Sequence, residues 1–138
     1  MSAPDFLDAN VLIYAYDPTD RGKQQSARAL VRRALGGEMV VSVQVLAEFA
    51  ATLLHKLSPP ASPEHVKTVL DSLAPIRVVL PDPELVRRAV EASARYGLHF
   101  YDGMIVAAAE RGGCGRIWSE DLSGGQKYFG VTVENPFA

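Results

Sequence analysis

The sequence contains a single cysteine, Cys114, so no intrachain disulfide can staple the fold and no cysteine–histidine cluster offers a zinc site. A reducing compartment, the cytoplasm, is the expected setting. No apolar run approaches the roughly 20 residues that a membrane crossing needs, and the opening MSAPDFLDAN has no basic cluster followed by an apolar stretch, so neither a membrane span nor a secretory signal is expected. Neither sign of charge dominates: 14 Lys and Arg stand against 16 Asp and Glu, a formal net charge of −2. Internal repeats and low-complexity tracts are missing too. The Gly124-Gly125 pair lacks the Lys-Ser/Thr of a phosphate-binding P-loop and reads as a turn. His55, His65 and His99 have no metal-binding spacing, and a hydrogen-bonded structural role is expected of His99. What remains is an ordinary globular composition, 48% hydrophobic and 22% charged, with a length that fits one domain over residues 1–138.

Short apolar runs alternate with longer amphipathic ones. Residues 5–8, 39–43, 77–81, 116–119 and 130–134 read as strands, the last at an edge of the sheet. NVLIYAY after the first strand fits either strand or helix. Helices are expected from Asp20 to Leu35, stopped by Gly36-Gly37; from Ser42 as cap to about Leu57; from Ser62-Pro63 to Ala74; from Asp82-Pro83 to Tyr96; and over 102–111. This alternation predicts an α/β three-layer sandwich, a mostly parallel central sheet of about five strands flanked by helices.

Four acids stand where strand-like runs give way to turns or helices, or alone among apolar residues: Asp8, Glu48, Asp102 and Asp121. An α/β fold gathers the carboxyl ends of its strands at one edge, so distant carboxylates can meet there. Asp8 and Asp102 also suit helix N-caps. Glu48 sits between apolar neighbours in VLAEFAATLL, which predicts a buried carboxylate needing a partner or a metal. Either Glu120 or Asp121 can serve as the fourth acid, with Asp121 favoured. Asn10 is placed to hold Asp8, and Ser119 lies on the same side as Asp121. Clustered carboxylates are hard ligands that suit Mg²⁺, with Mn²⁺ as the alternative, and such a site accepts phosphate oxygens. With these four acids neutralised by metal the rest of the chain carries +2, so the negative total does not exclude a nucleic acid.

In order, FLDANVLIYAYD, SVQVLAEF, LHFYDGMIVAAA and IWSEDLSGGQKYFGVTVENPF resemble the PIN-domain family, and within it the VapC-type toxins of bacterial and archaeal toxin–antitoxin pairs, over essentially the whole chain. The resemblance implies a Mg²⁺- or Mn²⁺-dependent endoribonuclease leaving a 5′ phosphate and a 3′ hydroxyl. Asp8, Glu48, Asp102 and Asp121 fall on its acidic metal positions, and Asn10 and Ser119 on supporting ones. Asp8 and Asp102 are the expected direct ligands, Asp121 a direct or water-mediated one, and Glu48 the group that orients or deprotonates the attacking water. It further implies a homodimer and a cognate VapB-like antitoxin whose tail blocks the acidic cleft. The non-enzymatic alternative is a catalytically silent PIN-like module that binds RNA or a protein partner.

For the RNA backbone, the candidate cations are Arg21, Lys23, Arg111, Arg116 and Lys127, while Arg28, Arg32 and Arg33 read as a solvated helix face. Tyr16, Tyr101 and Trp118 are expected to pack rather than to stack on bases. A receiver domain is disfavoured because Asp82 is explained as a cap before Pro83. A haloacid-dehalogenase-type phosphatase is disfavoured because Asn10 stands where a second Asp is needed. Which RNA is cut, whether tRNA, ribosomal RNA or messenger RNA, is not written in these residues.

Overall fold

In the computed structural model, which describes residues 2–138, the apolar runs become six short strands: β1 Asp5–Leu7, β2 Met39–Ser42, β3 Arg77–Val79, β4 Arg116–Trp118, β5 Lys127–Tyr128 and β6 Val131–Glu134. They form one sheet in the order β3-β2-β1-β4-β6-β5. All neighbours are parallel except the β5–β6 hairpin. β1 and β2 are buried throughout, as strands covered on both faces must be, which is why they read as continuous apolar runs. Between the strands run α1 Ala9–Tyr16, α2 Arg21–Arg33, α3 Val43–His55, α4 Pro63–Ser72, α5 Pro83–Tyr96 and α6 Phe100–Arg111. α1 packs on α2 and α3, α3 packs on α4, and α5 lies along α6, which also touches β2, β4 and β6.

Local chemistry explains most boundaries. Ser42, Ser62 and Asp82 accept hydrogen bonds from the backbone N–H groups of Val45, His65 and Leu85, at 3.2, 3.1 and 2.9 Å, which satisfies donors that a helix start leaves free. Pro63 and Pro83 occupy first-turn positions where no N–H is needed. After α2 the chain unwinds through a wide turn, Ala34–Glu38, in which Gly37 adopts φ +93°, a conformation open chiefly to glycine.

NVLIYAY, which fitted either strand or helix, is helical, as α1. Three expectations are corrected. The two-residue β5 is a sixth strand, so β6 is interior and β5 is the edge. α6 begins at Phe100 with His99 as its cap, so Asp102 lies inside the first turn rather than at the cap. The run 5–8 ends as a strand at Leu7, with Asp8 capping α1. Among the described residues no helix is long and apolar enough to cross a membrane.

β1 neighbours β2 on one side and β4 on the other, and each connection from β1 to β2 to β3 runs away from β4. The boundary between β1 and β4 is therefore the topological switch point of the sheet, where α/β folds open a crevice beyond the strands' carboxyl ends.

Candidate active site

Leu7 and Trp118 pair in register across β1 and β4, so the residues that follow each strand emerge side by side at the crevice. They are Asp8 and Ser119. The Asp8 N–H donates to the Trp118 carbonyl at 3.0 Å. The residue is 6% exposed and its carboxylate is held by three donors: Oδ1 accepts from the Ala9 N–H at 2.7 Å, and Oδ2 accepts from Ser119 Oγ at 2.8 Å and from Asn10 Nδ2 at 3.5 Å. The fully buried Ser119 Oγ also accepts from the Asp121 and Leu122 N–H groups, both at 3.2 Å. Asn10 Oδ1 takes the Glu120 N–H at 3.1 Å. The two residues expected to support Asp8 thus bind the segment after β4 to the segment after β1.

Burial pushes the Asp8 carboxyl up to about 6, against the lowering effect of the Ser119 and Ala9 hydrogen bonds; the nearby charges of Glu48 and Asp121 push it further up. Replacing Ser119 with Ala removes the shared hydroxyl and leaves the Asp121 and Leu122 N–H groups without that acceptor. We expect a loss of about 1–3 kcal/mol in urea unfolding, together with a still higher Asp8 pKa. A variant as stable as the wild type at pH 7 would show that the hydroxyl does not organise this edge.

Asp8, Asn10, Glu48, Thr52, Lys56 and Asp121 line one cleft of about 320 Å³. Glu48 reaches it from α3 and is exposed rather than buried, which corrects the reason for singling it out. Leu46 and Ala50 are half-buried and Ala47 is exposed, because these apolar neighbours flank a groove toward Leu70 and Leu73 instead of filling the core. Gln44 fixes the Glu48 side chain: its Nε2 donates to Glu48 Oε1 at 2.9 Å and to the Tyr101 carbonyl at 3.1 Å. That bridge joins α3 to the first turn of α6, where Asp102 follows. Asp102 is half-buried; burial raises its carboxyl, His99 lowers it, and the charge of Asp121 raises it.

The four acids are therefore electrostatically chained, Asp8 to Glu48 and Asp121, and Asp121 to Asp102. As posed, no three His, Cys, Asp or Glu side chains among the described residues form a ready-made metal cage. The donor chemistry nonetheless fits a hard divalent cation, since every candidate atom is a carboxylate oxygen and the buried one carries a repulsion that a cation relieves.

Glu120 is otherwise engaged. It accepts from Tyr14 Oη at 2.8 Å and from Lys23 Nζ at 2.6 Å, and the Lys23 hydrogen bond holds its carboxyl below the ordinary range. It anchors α2 to the β4 loop, whereas Asp121 faces the cleft. The same pair occupies Lys23. Arg116 is bound to Asp5 at 2.9 Å and to Glu134 at 3.4 Å, and Arg111 to Asp82 at 2.8 Å, each away from the acids. Arg28 donates from Nε to the Ala15 carbonyl at 3.0 Å, closing the end of α1, and Arg33 lies 3.5 Å from both Asp5 and Glu38, so neither is merely solvated. Tyr16 packs on Phe49 with ring centroids 5.4 Å apart, and the Trp118 indole N–H donates to Asp5 Oδ2 at 3.0 Å. Tyr101 is 58% exposed. His99 accepts from the Tyr101 N–H at 3.3 Å, the structural role expected of it. Gln44, Thr52 and Lys56 were not singled out by sequence reasoning; their four-residue spacing from Glu48 was the signal available.

A family model described as PIN domain matches residues 6–123. No curated protein matches the sequence significantly. Among solved structures, the DNA-bound VapBC of Salmonella typhimurium shares 20% identity and superposes with a TM-score of 0.69, covering 98% of this chain and 99% of that one. A toxin–antitoxin complex from Klebsiella pneumoniae shares 17% at a TM-score of 0.68, covering 98% of each chain. VapC20 of Mycobacterium tuberculosis, described as a sarcin–ricin loop cleaving toxin, shares 17% at 0.64, covering 85% of this chain and 91% of that one.

Proposed function

The chain belongs to the PIN domain family, and from that premise we propose that it is a metal-dependent endoribonuclease, a VapC-type toxin of a toxin–antitoxin pair built as a single domain over residues 1–138. The observation that carries this reading is the buried Asp8 carboxylate at the β1–β4 switch point, sharing one cleft with Glu48 and Asp121. Structural likeness to toxin–antitoxin proteins, one of them described as cleaving RNA, supports it.

Asp8, Asp102 and Asp121 would hold Mg²⁺ or Mn²⁺, Asp121 directly or through water. When bound, the ion supplies charge stabilisation of the phosphoryl oxygens and activation of water. Asn10 and Ser119 hold the Asp8 carboxylate at the strand end. Glu48, steadied by Gln44, is placed to orient the attacking water and take its proton. A VapB-like antitoxin covering this cleft, a homodimer and a cytoplasmic setting complete the proposal.

The test is incubation of the purified protein with an end-labelled RNA pool in MgCl₂ or MnCl₂. Cleavage that stops on chelation and returns on adding metal is the expected result. RNA left intact under every divalent ion tried, despite binding, would favour the silent module.

A further inference from the structure

One wall of the acidic cleft is a face of α3 whose polar residues recur at every fourth position, Gln44, Glu48 and Thr52, and the series ends on Lys56, the residue that caps the helix. That spacing keeps side chains on one helical face, and Glu48, Thr52 and Lys56 line the cleft together with Asp8 and Asp121. Among the described residues Lys56 is the only cation in the lining. It is exposed, and among the described residues no carboxylate lies within 4.0 Å of its Nζ, although three of the acids share its cleft. The other basic residues nearby are differently placed, Lys23 being engaged by Glu120 and Tyr14. A free ammonium at the far end of an acidic cleft has one evident use, to receive an anionic group that the carboxylates alone would repel.

We propose that Lys56 is a phosphate anchor for the substrate strand. RNA lies along α3 with its reacting phosphate at the Asp8–Glu48 end and a flanking phosphate against Lys56 Nζ. Lys56, at the C-cap of α3, is eight positions beyond Glu48, about 12 Å along the helix axis, which corresponds to roughly two to four nucleotides of single strand. Thr52, between them, offers a hydroxyl along the same track. The inference rests on the ribonuclease reading and adds to it a direction for the strand and a minimum substrate length.

The experiment is single-turnover cleavage of a labelled 20-nucleotide mixed-sequence RNA in MgCl₂, with half-saturating protein concentration and maximal rate measured separately at several salt concentrations. For Lys56→Gln, half-saturation is expected to rise roughly three- to tenfold, at an unchanged maximal rate and melting temperature. The slope of log affinity on log salt should become shallower by about 0.7, the release of one phosphate contact on a single strand. Lys56→Arg should restore both, and Lys67→Gln, on the outer face of α4 beside Glu64, should change neither. A two-nucleotide RNA should not distinguish Lys56→Gln from the wild type. Unchanged half-saturation and salt slope in an active protein would overturn the anchor alone, as would a lowered maximal rate with half-saturation intact, or a lowered melting temperature with the slope intact. A wild-type protein that cleaves no RNA would overturn the ribonuclease reading, and the anchor with it.

Discussion

Asp8→Asn is expected to lower metal-dependent RNA cleavage on the order of a thousandfold while the protein stays folded and, above neutral pH, becomes more stable. The activity loss follows from removing one charge of the donor set: several kcal/mol of charge stabilisation at the phosphate vanish with it. The stability gain follows from burial. The folded Asp8 carboxyl titrates at about 6, against an ordinary 3.8, so between those values the native protein keeps a proton that the unfolded chain has released. The contribution of Asp8 to the stability of the metal-free wild type therefore declines as pH rises through that window, and the full penalty, about 3 kcal/mol, is present above it. Asn does not ionise and escapes it. Its amide can still accept from the Ala9 N–H but no longer offers an acceptor to the Ser119 hydroxyl, a loss of about 1 kcal/mol. The net expectation is a variant about 2 kcal/mol more stable at pH 8 and about 0.5 kcal/mol less stable at pH 4. Urea unfolding of both proteins in EDTA across that range checks it, and parallel stability curves would remove Asp8 as the strained group. Added Mg²⁺ should stabilise the wild type by mass action and the variant much less.

How much of this was legible beforehand differs from residue to residue. Asp8, Asn10 and Ser119 were legible because a strand end followed by polar residues is a strong local signal, and the register of β1 with β4 brings two such ends together. The starts at Ser62-Pro63 and Asp82-Pro83 were legible because cap and proline act within four residues. α1 was ambiguous because Ala9, Val11, Leu12 and Ala15 are all buried, and helical burial on more than one side blurs the period. β5 was missed because two residues of hairpin carry no pattern; only pairing with β6 makes them a strand. Glu48 was chosen for the wrong reason. A helix rich in apolar residues suggested an enclosing core, but part of that surface borders an open groove, and sequence does not distinguish the two. Glu120 and Asp121 were inseparable locally, and a lysine 97 residues away, Lys23, separates them by engaging the first.

Gly103→Ala should be the most damaging single-methyl change in the protein, and the reason couples the fold to the acids. A Cβ at Gly103 would stand 2.6 Å from the Ala89 carbonyl oxygen and 3.5 Å from the Ser93 nitrogen. Both are backbone atoms of α5, so no side-chain rotation relieves the clash. Gly103, Ala107 and Ala108 are buried in the small-residue helix α6, which lies along α5, and at the glycine the α5 backbone leaves no room for a Cβ. Separating them to admit a methyl should cost about 1–3 kcal/mol, roughly 5–10 °C in melting temperature for a chain of this length. The displacement falls on the first turn of α6, which carries Asp102 and the Tyr101 carbonyl that Gln44 holds. Cleavage should accordingly fall further than stability alone explains, even at temperatures where the variant is fully folded, while the hydrogen bonds around Asp8 stay intact. Gly36→Ala is the matched control, since its Cβ would meet nothing within 4 Å. Thermal melts and cleavage rates of the two variants decide the matter: a Gly103→Ala protein that melts with Gly36→Ala and cleaves at the wild-type rate would mean that α5 and α6 do not set the position of Asp102.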